Sequence, residues 1–175
     1  MTTITISGLP GTGKTTVAKL LEQRLGLRYV YSGEIFRQLA QKHHMSLEEF
    51  GKYCESHREI DEELDQYQLT ILRQGNVIVE GRLSGWLAHQ KHIPAVKVLL
   101  QADIDIRTGR IVKREQGDLK KRKKEILKRE RSEATRYKNY YGIDVSDISI
   151  YDVIIDAGDK TPEQIMQIIL DHLGE

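Results

Sequence analysis

Residues 8 to 15 read Gly8-Leu9-Pro10-Gly11-Thr12-Gly13-Lys14-Thr15 and satisfy G-x-x-x-x-G-K-[ST] at every fixed position. The flanks give this pattern its meaning. Thr2 to Ser7, TTITIS, is a β-branched run that stops at glycine, and TTVAKLLEQRL behind the loop has helical apolar spacing, so the octapeptide joins a strand to a helix. In that setting the glycines let the backbone curl into a nest of inward N–H groups, and the start of the helix adds the positive end of its dipole. A polyphosphate is the expected guest. The ATP-binding stretch is therefore read as Gly8, Leu9, Pro10, Gly11, Thr12, Gly13, Lys14, Thr15 and Thr16, with Lys14 reaching the β- and γ-phosphates as a catalytic cation and Thr15 offering its hydroxyl to Mg²⁺.

The rest of the chain continues the alternation that this unit begins. Short β-rich runs recur at 28–31, 76–80 (NVIVE), 96–101 (VKVLLQ) and 151–156 (YDVIID), separated by helical stretches at 32–42, 46–56, 60–74, 103–115, 119–139 and 161–173. NVIVE and VKVLL have no polar face, as parallel strands covered on both sides do not. The reading is one α/β domain over 1–175, a five-stranded parallel sheet with helices on both faces, with a small cap at about 32–74 and a lid at about 107–138. Ser46 with Glu49 suggests a capping box, and Thr161-Pro162 places proline at a first helical position.

Charge is spread unevenly, although the net formal charge is only +1. Between Arg107 and Lys138 there are 14 Lys/Arg against 5 Asp/Glu, leaving 13 against 21 elsewhere. That segment is suited to an anion, although the run Lys120-Lys121-Arg122-Lys123-Lys124 taken alone reads as a solvated helix face. A single cysteine, Cys54, excludes an internal disulfide framework. No apolar run approaches the roughly 20 residues needed to cross a bilayer, and the N-terminus lacks a basic flank. A soluble cytoplasmic monomer is expected. Of the six histidines, His43, His44 and His57 lie near one another but lack the spaced partners of a metal site and read as solvated helix residues.

A phosphate loop serves many reactions, and absences narrow the choice. There is no N-K-x-D segment and no D-x-x-G element of the kind GTPases use, and 175 residues are few for a motor with its own lid domain. A small kinase remains. Moving a phosphoryl group onto a second phosphate gathers several anions, and arginine suits that work through its planar fork. Arg37 follows the second strand, Arg82 ends the third, and Arg107, Arg110 and Arg114 follow the fourth, beyond the carboxyl ends where open parallel sheets bind ligands.

The segments GLPGTGKTT, YSGEIFR, VIVEGRLSGW, DIRTGRIVKRE and Lys128 to Tyr137, KRERSEATRY, together resemble the cytidylate kinases of the short archaeal type, across essentially the whole chain. That resemblance implies a P-loop NTPase fold of the nucleoside monophosphate kinase type. It also implies transfer of the ATP γ-phosphoryl group to CMP or dCMP, with ATP, CMP and dCMP as the small-molecule partners and no nucleic acid or membrane. By position it implies that Ser32 and Arg37 meet the acceptor's base edge and phosphate, and that Arg82 acts close to the acceptor with a catalytic role. Arg107 and Arg110 then close over the donor phosphates, Arg110 with a catalytic role, and Arg129, Glu133 and Arg136 complete the acceptor site. Leu83 stands where bacterial members carry an aspartate that helps recognise the nucleotide, which leaves Glu34 or Asp61 to read the cytosine amino group. Glu80 has two readings, holding a metal-bound water or pairing locally with Arg82. Two other functions stay open at this level: an adenylate kinase-like or other small-metabolite kinase, and a nucleotide-gated RNA-binding protein gripping a backbone with the basic segment.

Overall fold

Strand β1, Thr3–Gly8, is buried along its whole length and occupies the centre of a parallel sheet ordered β2-β3-β1-β4-β5. Its neighbours are β3, Val77–Glu80, and β4, Val96–Gln101, with β2, Arg28–Tyr31, and β5, Val153–Asp156, at the edges. The structure is a computed structural model describing residues 2–175. Register places Ile6 beside Glu80 and Val98, and Glu80 beside Tyr31. All strands run the same way, so their carboxyl ends form one rim.

Among the described residues there are eight helices: α1 Lys14–Leu25, α2 Ser32–Lys42, α3 Leu47–Ser56, α4 Arg58–Gln74, α5 Ser84–Gln90, α6 Ile104–Glu115, α7 Leu119–Tyr141 and α8 Pro162–Leu173. On one face Val17 and Leu21 of α1 and Ile165 and Ile169 of α8 pack on Ile4, Ile6, Val98 and Ile155. On the other, Leu69 and Leu72 of α4 and Trp86 and Leu87 of α5 pack on Val77 and Val79, with Tyr137 and Tyr141 of α7 against them. Ala40, Phe50, Cys54 and Ile60 form a separate core among α2, α3 and α4. Burial of each such side chain contributes on the order of 1.5–3 kcal/mol.

The five strands and both capping signals agree with the sequence reading; Ser46 and Glu49 close a capping box, as do Thr161 and Gln164. Helix α5 departs from it. Ser84, Gly85, Trp86, Leu87 and Ala88 are all buried, so the segment has no polar face and no amphipathic period by which to be recognised. Among the described residues no helix is long and apolar enough to cross a membrane.

Candidate active site

The loop after β1 turns into α1 through Gly13, which caps the helix without a side-chain hydrogen bond. The first N–H groups of α1 are therefore left for an anion at the positive end of the helix. Thr12 Oγ1 and Lys14 Nζ both donate to the Leu9 carbonyl, at 2.9 and 3.1 Å, and fold the loop on itself. Arg107 holds it from outside. Its guanidinium is buried and donates to the Pro10 carbonyl at 3.2 Å, to Ala102 at 2.9 Å and to Glu130 Oε1 at 2.6 Å. Gly11, at φ 84°, lies against the Arg107 backbone so closely that a Cβ would come within 2.6 Å of its carbonyl oxygen. Glycine is needed there on both counts.

Thr15 and Glu80 meet across the rim. Thr15 Oγ1 donates to Glu80 Oε1 at 3.2 Å, and Tyr29 donates to the other carboxylate oxygen at 2.5 Å. Burial and this bond push the Tyr29 phenol well above its ordinary range. Glu80 is thus tied to the phosphate loop and β2, and its local pairing with Arg82 is not formed.

Arg82 instead donates to Glu133 on α7, and the other Glu133 oxygen accepts from Arg129 at 2.9 Å. Burial, with Arg129 adding repulsion and Tyr137, Glu130 and Tyr31 opposing, lowers Arg82 to about 10. Burial also lowers Lys14 to about 7, with Arg82, Arg129 and Arg107 adding repulsion and Glu80 partly opposing them. Four cations converge on one point with fewer acids than they need, which is an environment that favours a polyanion.

Ser32 opens α2 beside Gly81; a Cβ on Gly81 would come within 2.5 Å of Ser32 Oγ and 3.1 Å of Gln68 Oε1. Arg37 is exposed, its guanidinium 5.6 Å from the Tyr31 ring centre. Arg136 lies further along α7 and pairs with Asp61 of α4 at 2.9 Å, both largely buried. Ser132 also donates to Glu55 and Tyr140 to the Glu55 carbonyl, each at 2.8 Å. The second half of α7 is thereby fastened to α3 and α4, while Glu130 and Glu133 fasten it to Arg107 and Arg82.

Arg110 points to the other side of the loop. It donates to the Ala157 carbonyl at 2.6 Å, with Gly158 at 3.3 Å and Gly11 at 3.4 Å. Beside it a cleft of about 260 Å³ is lined by Gly13, Thr16, Arg110, Arg114, Lys160 and Pro162. In the basic pentad Lys123 is paired to Asp105 at 2.6 Å and Arg122 to Glu125 at 3.1 Å.

Tyr29, Gln68 and the 157–160 segment were not singled out in the sequence. Tyr29 and the 157–160 segment carry no motif and act through positions brought in by the fold. Gln68 did carry a signal, because Asp61, Asp65 and Gln68 recur at i, i+4 and i+7 on a helix whose buried face is otherwise apolar.

The sequence model of the cytidylate kinase-like family matches residues 3–159. A protein named cytidylate kinase from Methanocaldococcus jannaschii is 46% identical over 167 residues, covering 95% of this chain and 94% of the relative. One of the same name from Pyrococcus horikoshii is 44% identical over 173 residues, covering 97% and 88%. Among solved structures, a shikimate kinase from Bacteroides thetaiotaomicron superposes with a TM-score of 0.64 at 16% identity over 99% of each chain. A shikimate kinase from Aquifex aeolicus gives 0.56 at 19% identity, over 98% and 96%. At those identities the structural likeness concerns the fold.

Proposed function

The chain belongs to the cytidylate kinase-like family, and from that premise we propose that it transfers the γ-phosphoryl group of ATP to CMP or dCMP, releasing ADP with CDP or dCDP. The observation that carries this reading is the convergence of Lys14, Arg82, Arg107 and Arg129 beyond the carboxyl ends of β1, β3 and β4. A donor polyphosphate on the loop after β1 and an acceptor phosphate near Arg82 meet there. The cleft beside Arg110 and Thr16 takes the donor nucleoside, and the space between Ser32, Gly81 and Arg82 takes the acceptor. Residues 32–74 act as the cap, supported by the separate core around Phe50 and Cys54. Residues 107–138 act as the lid, which reaches the cap through Arg136 and the phosphate loop through Arg107.

The chemistry needs little from the protein beyond alignment and charge. An oxygen of the acceptor phosphate attacks the γ-phosphorus, a new P–O bond forms as the bond to the β,γ-bridging oxygen breaks, and the electron pair leaves on ADP. That attacking group has a second pKa of about 6, so it is an anion at neutral pH and no strong general base is required. Lys14 and Arg82 neutralise the transferring group from two sides, and the lid arginines exclude water that would otherwise accept the phosphoryl group. The Thr15 hydroxyl and the Glu80 carboxylate, hard oxygens 3.2 Å apart, fit Mg²⁺ shared with the phosphates. When bound, that ion supplies charge neutralisation on the β- and γ-oxygens.

The pairing of Arg122 and Lys123 with acids of their own hairpin favours catalysis over RNA binding for the basic segment. The test is an ADP-release assay over CMP, dCMP, UMP, AMP and GMP. CMP and dCMP are expected to be the best acceptors, and equal use of AMP and CMP would overturn the reading.

A further inference from the structure

The face of α4 turned toward α7 and the end of β3 is chemically odd. Asp61, Asp65 and Gln68 lie in line, with relative exposures of 5%, 8% and 5%, where Ile60, Leu64, Leu69 and Leu72 otherwise make the helix part of the core. Burying an unpaired polar atom costs about 1–3 kcal/mol, and a helix that needed only to pack would carry apolar residues there. Asp61 is neutralised in charge, because Arg136 Nε lies 2.9 Å from its carboxylate, although neither Asp61 Oδ2 nor Arg136 Nε is in hydrogen-bond geometry. Gln68 Oε1 is buried with no hydrogen bond, and Asp65 Oδ2 is likewise outside hydrogen-bond geometry, with the Tyr141 hydroxyl facing the carboxylate. Gln68 Oε1 also lies beside Gly81 and Ser32, at the rim where the acceptor is placed.

We infer that Gln68, with Asp65 one turn before it, reads the acceptor's base by accepting hydrogens from an exocyclic amino group on a pyrimidine ring. This rests on the acceptor site proposed above and adds the residues that choose the base. The stripe presents oxygen acceptors: the Gln68 amide oxygen and the carboxylates of Asp65 and Asp61. A ligand edge that brings N–H donors satisfies it, whereas an edge that brings a carbonyl sets acceptor against acceptor. Cytosine offers an amino group at the position where uracil offers a carbonyl. Glu34 is exposed and Asp61 is held by the charge of Arg136, whereas Gln68 Oε1 has no partner and Asp65 faces the neutral hydroxyl of Tyr141. The glycine at 81 gives the amide its room, since any side chain there would press on Gln68 and Ser32 together.

The test compares acceptors and variants in one cycle. kcat/KM is measured for CMP, UMP and the 5′-monophosphate of pyrimidin-2-one riboside, which lacks the amino group, in the unaltered protein, Gln68→Met and Asp65→Asn. Both variants are expected to lose about 30-fold or more with CMP, the scale set by leaving a buried polar group unpaired, while UMP and the amino-free analogue change less than about threefold. Thermal stabilisation by ATP in each variant verifies that the donor site is intact. Gln68→Met preserves side-chain length and decides the matter if Asp65→Asn does not fold. Parallel losses for all three acceptors, or unchanged preference for CMP, would overturn the inference. Failure of the function itself looks different, because the unaltered protein would then show no preference for CMP over AMP.

Discussion

Arg82, the residue after Gly81 at the end of β3, donates to Glu133 in the middle of α7, and Arg129 shares the same carboxylate from one turn away. Glu133 is thus the anion that keeps two guanidinium groups together. Removing one partner of a buried pair costs about 3–5 kcal/mol when the other is left uncompensated. Partial exposure of Arg129 reduces that figure here. Glu133→Gln is expected to lower the melting temperature by about 5 °C, and CMP or inorganic phosphate should recover more of the loss than it adds to the unaltered protein. Equal melting temperatures in a thermal-shift experiment would show that the carboxylate is not needed.

Lys14 is lowered to about 7 by burial and by the surrounding arginines, against 10.5 for an unperturbed lysine. Because the folded value lies below the unfolded one, the unfolded chain binds the extra proton between those limits, and the destabilisation is greatest below pH 7 and fades toward pH 10.5. Lys14→Met should therefore raise the melting temperature at pH 6–7, by about 5 °C, and the advantage should shrink with rising pH. The same variant should lose about 10²–10³-fold in kcat while retaining CMP binding.

ATP binding gives a second reading of that lysine. At pH 8.5 the free side chain is mostly neutral, and a polyphosphate restores its charge, so binding should take up close to one proton. Calorimetry in buffers of different ionisation enthalpy measures this directly. Uptake should fall away below pH 6 and be absent in Lys14→Met; identical uptake in both proteins would remove Lys14 from the phosphate site.

Gly81→Ala is a conservative change with a local consequence. Its Cβ would come within 2.5 Å of Ser32 Oγ, closer than real Cβ contacts allow, and 3.1 Å of Gln68 Oε1, so the Ser32 and Gln68 side chains must shift from their places. The expected result is a KM for CMP raised about tenfold or more with KM for ATP nearly unchanged. Steady-state kinetics with each substrate varied in turn distinguish this from a general loss.

Arg110 differs from Arg107 in what it holds. Its guanidinium spans the Gly11, Ala157 and Gly158 carbonyls beside the cleft lined by Thr16 and Pro162, so, with the donor nucleoside proposed to lie there, Arg110→Ala should raise KM for ATP about tenfold and leave KM for CMP within twofold. A change confined to KM for CMP would place Arg110 on the acceptor side instead.

The sequence by itself determined the phosphate loop, the five strands and their direction, because these depend on local signals: glycine spacing, β-branched runs, and helices whose apolar residues recur every three or four positions. It also placed arginines at strand ends, where parallel order alone makes them neighbours. The tertiary structure decided their partners. Arg82 binds Glu133 rather than Glu80, Arg136 binds Asp61, and Arg107 braces Pro10, because each contact joins residues far apart in sequence and depends on how α4, α6 and α7 pack. Helix α5 was hidden by its own burial, since a segment wrapped on all sides has no polar face to mark its period. Gln68 is the intermediate case: its place on the helix face could be read from spacing, but only the close approach of Gly81 and Ser32 brings its unpaired oxygen to the carboxyl end of β3.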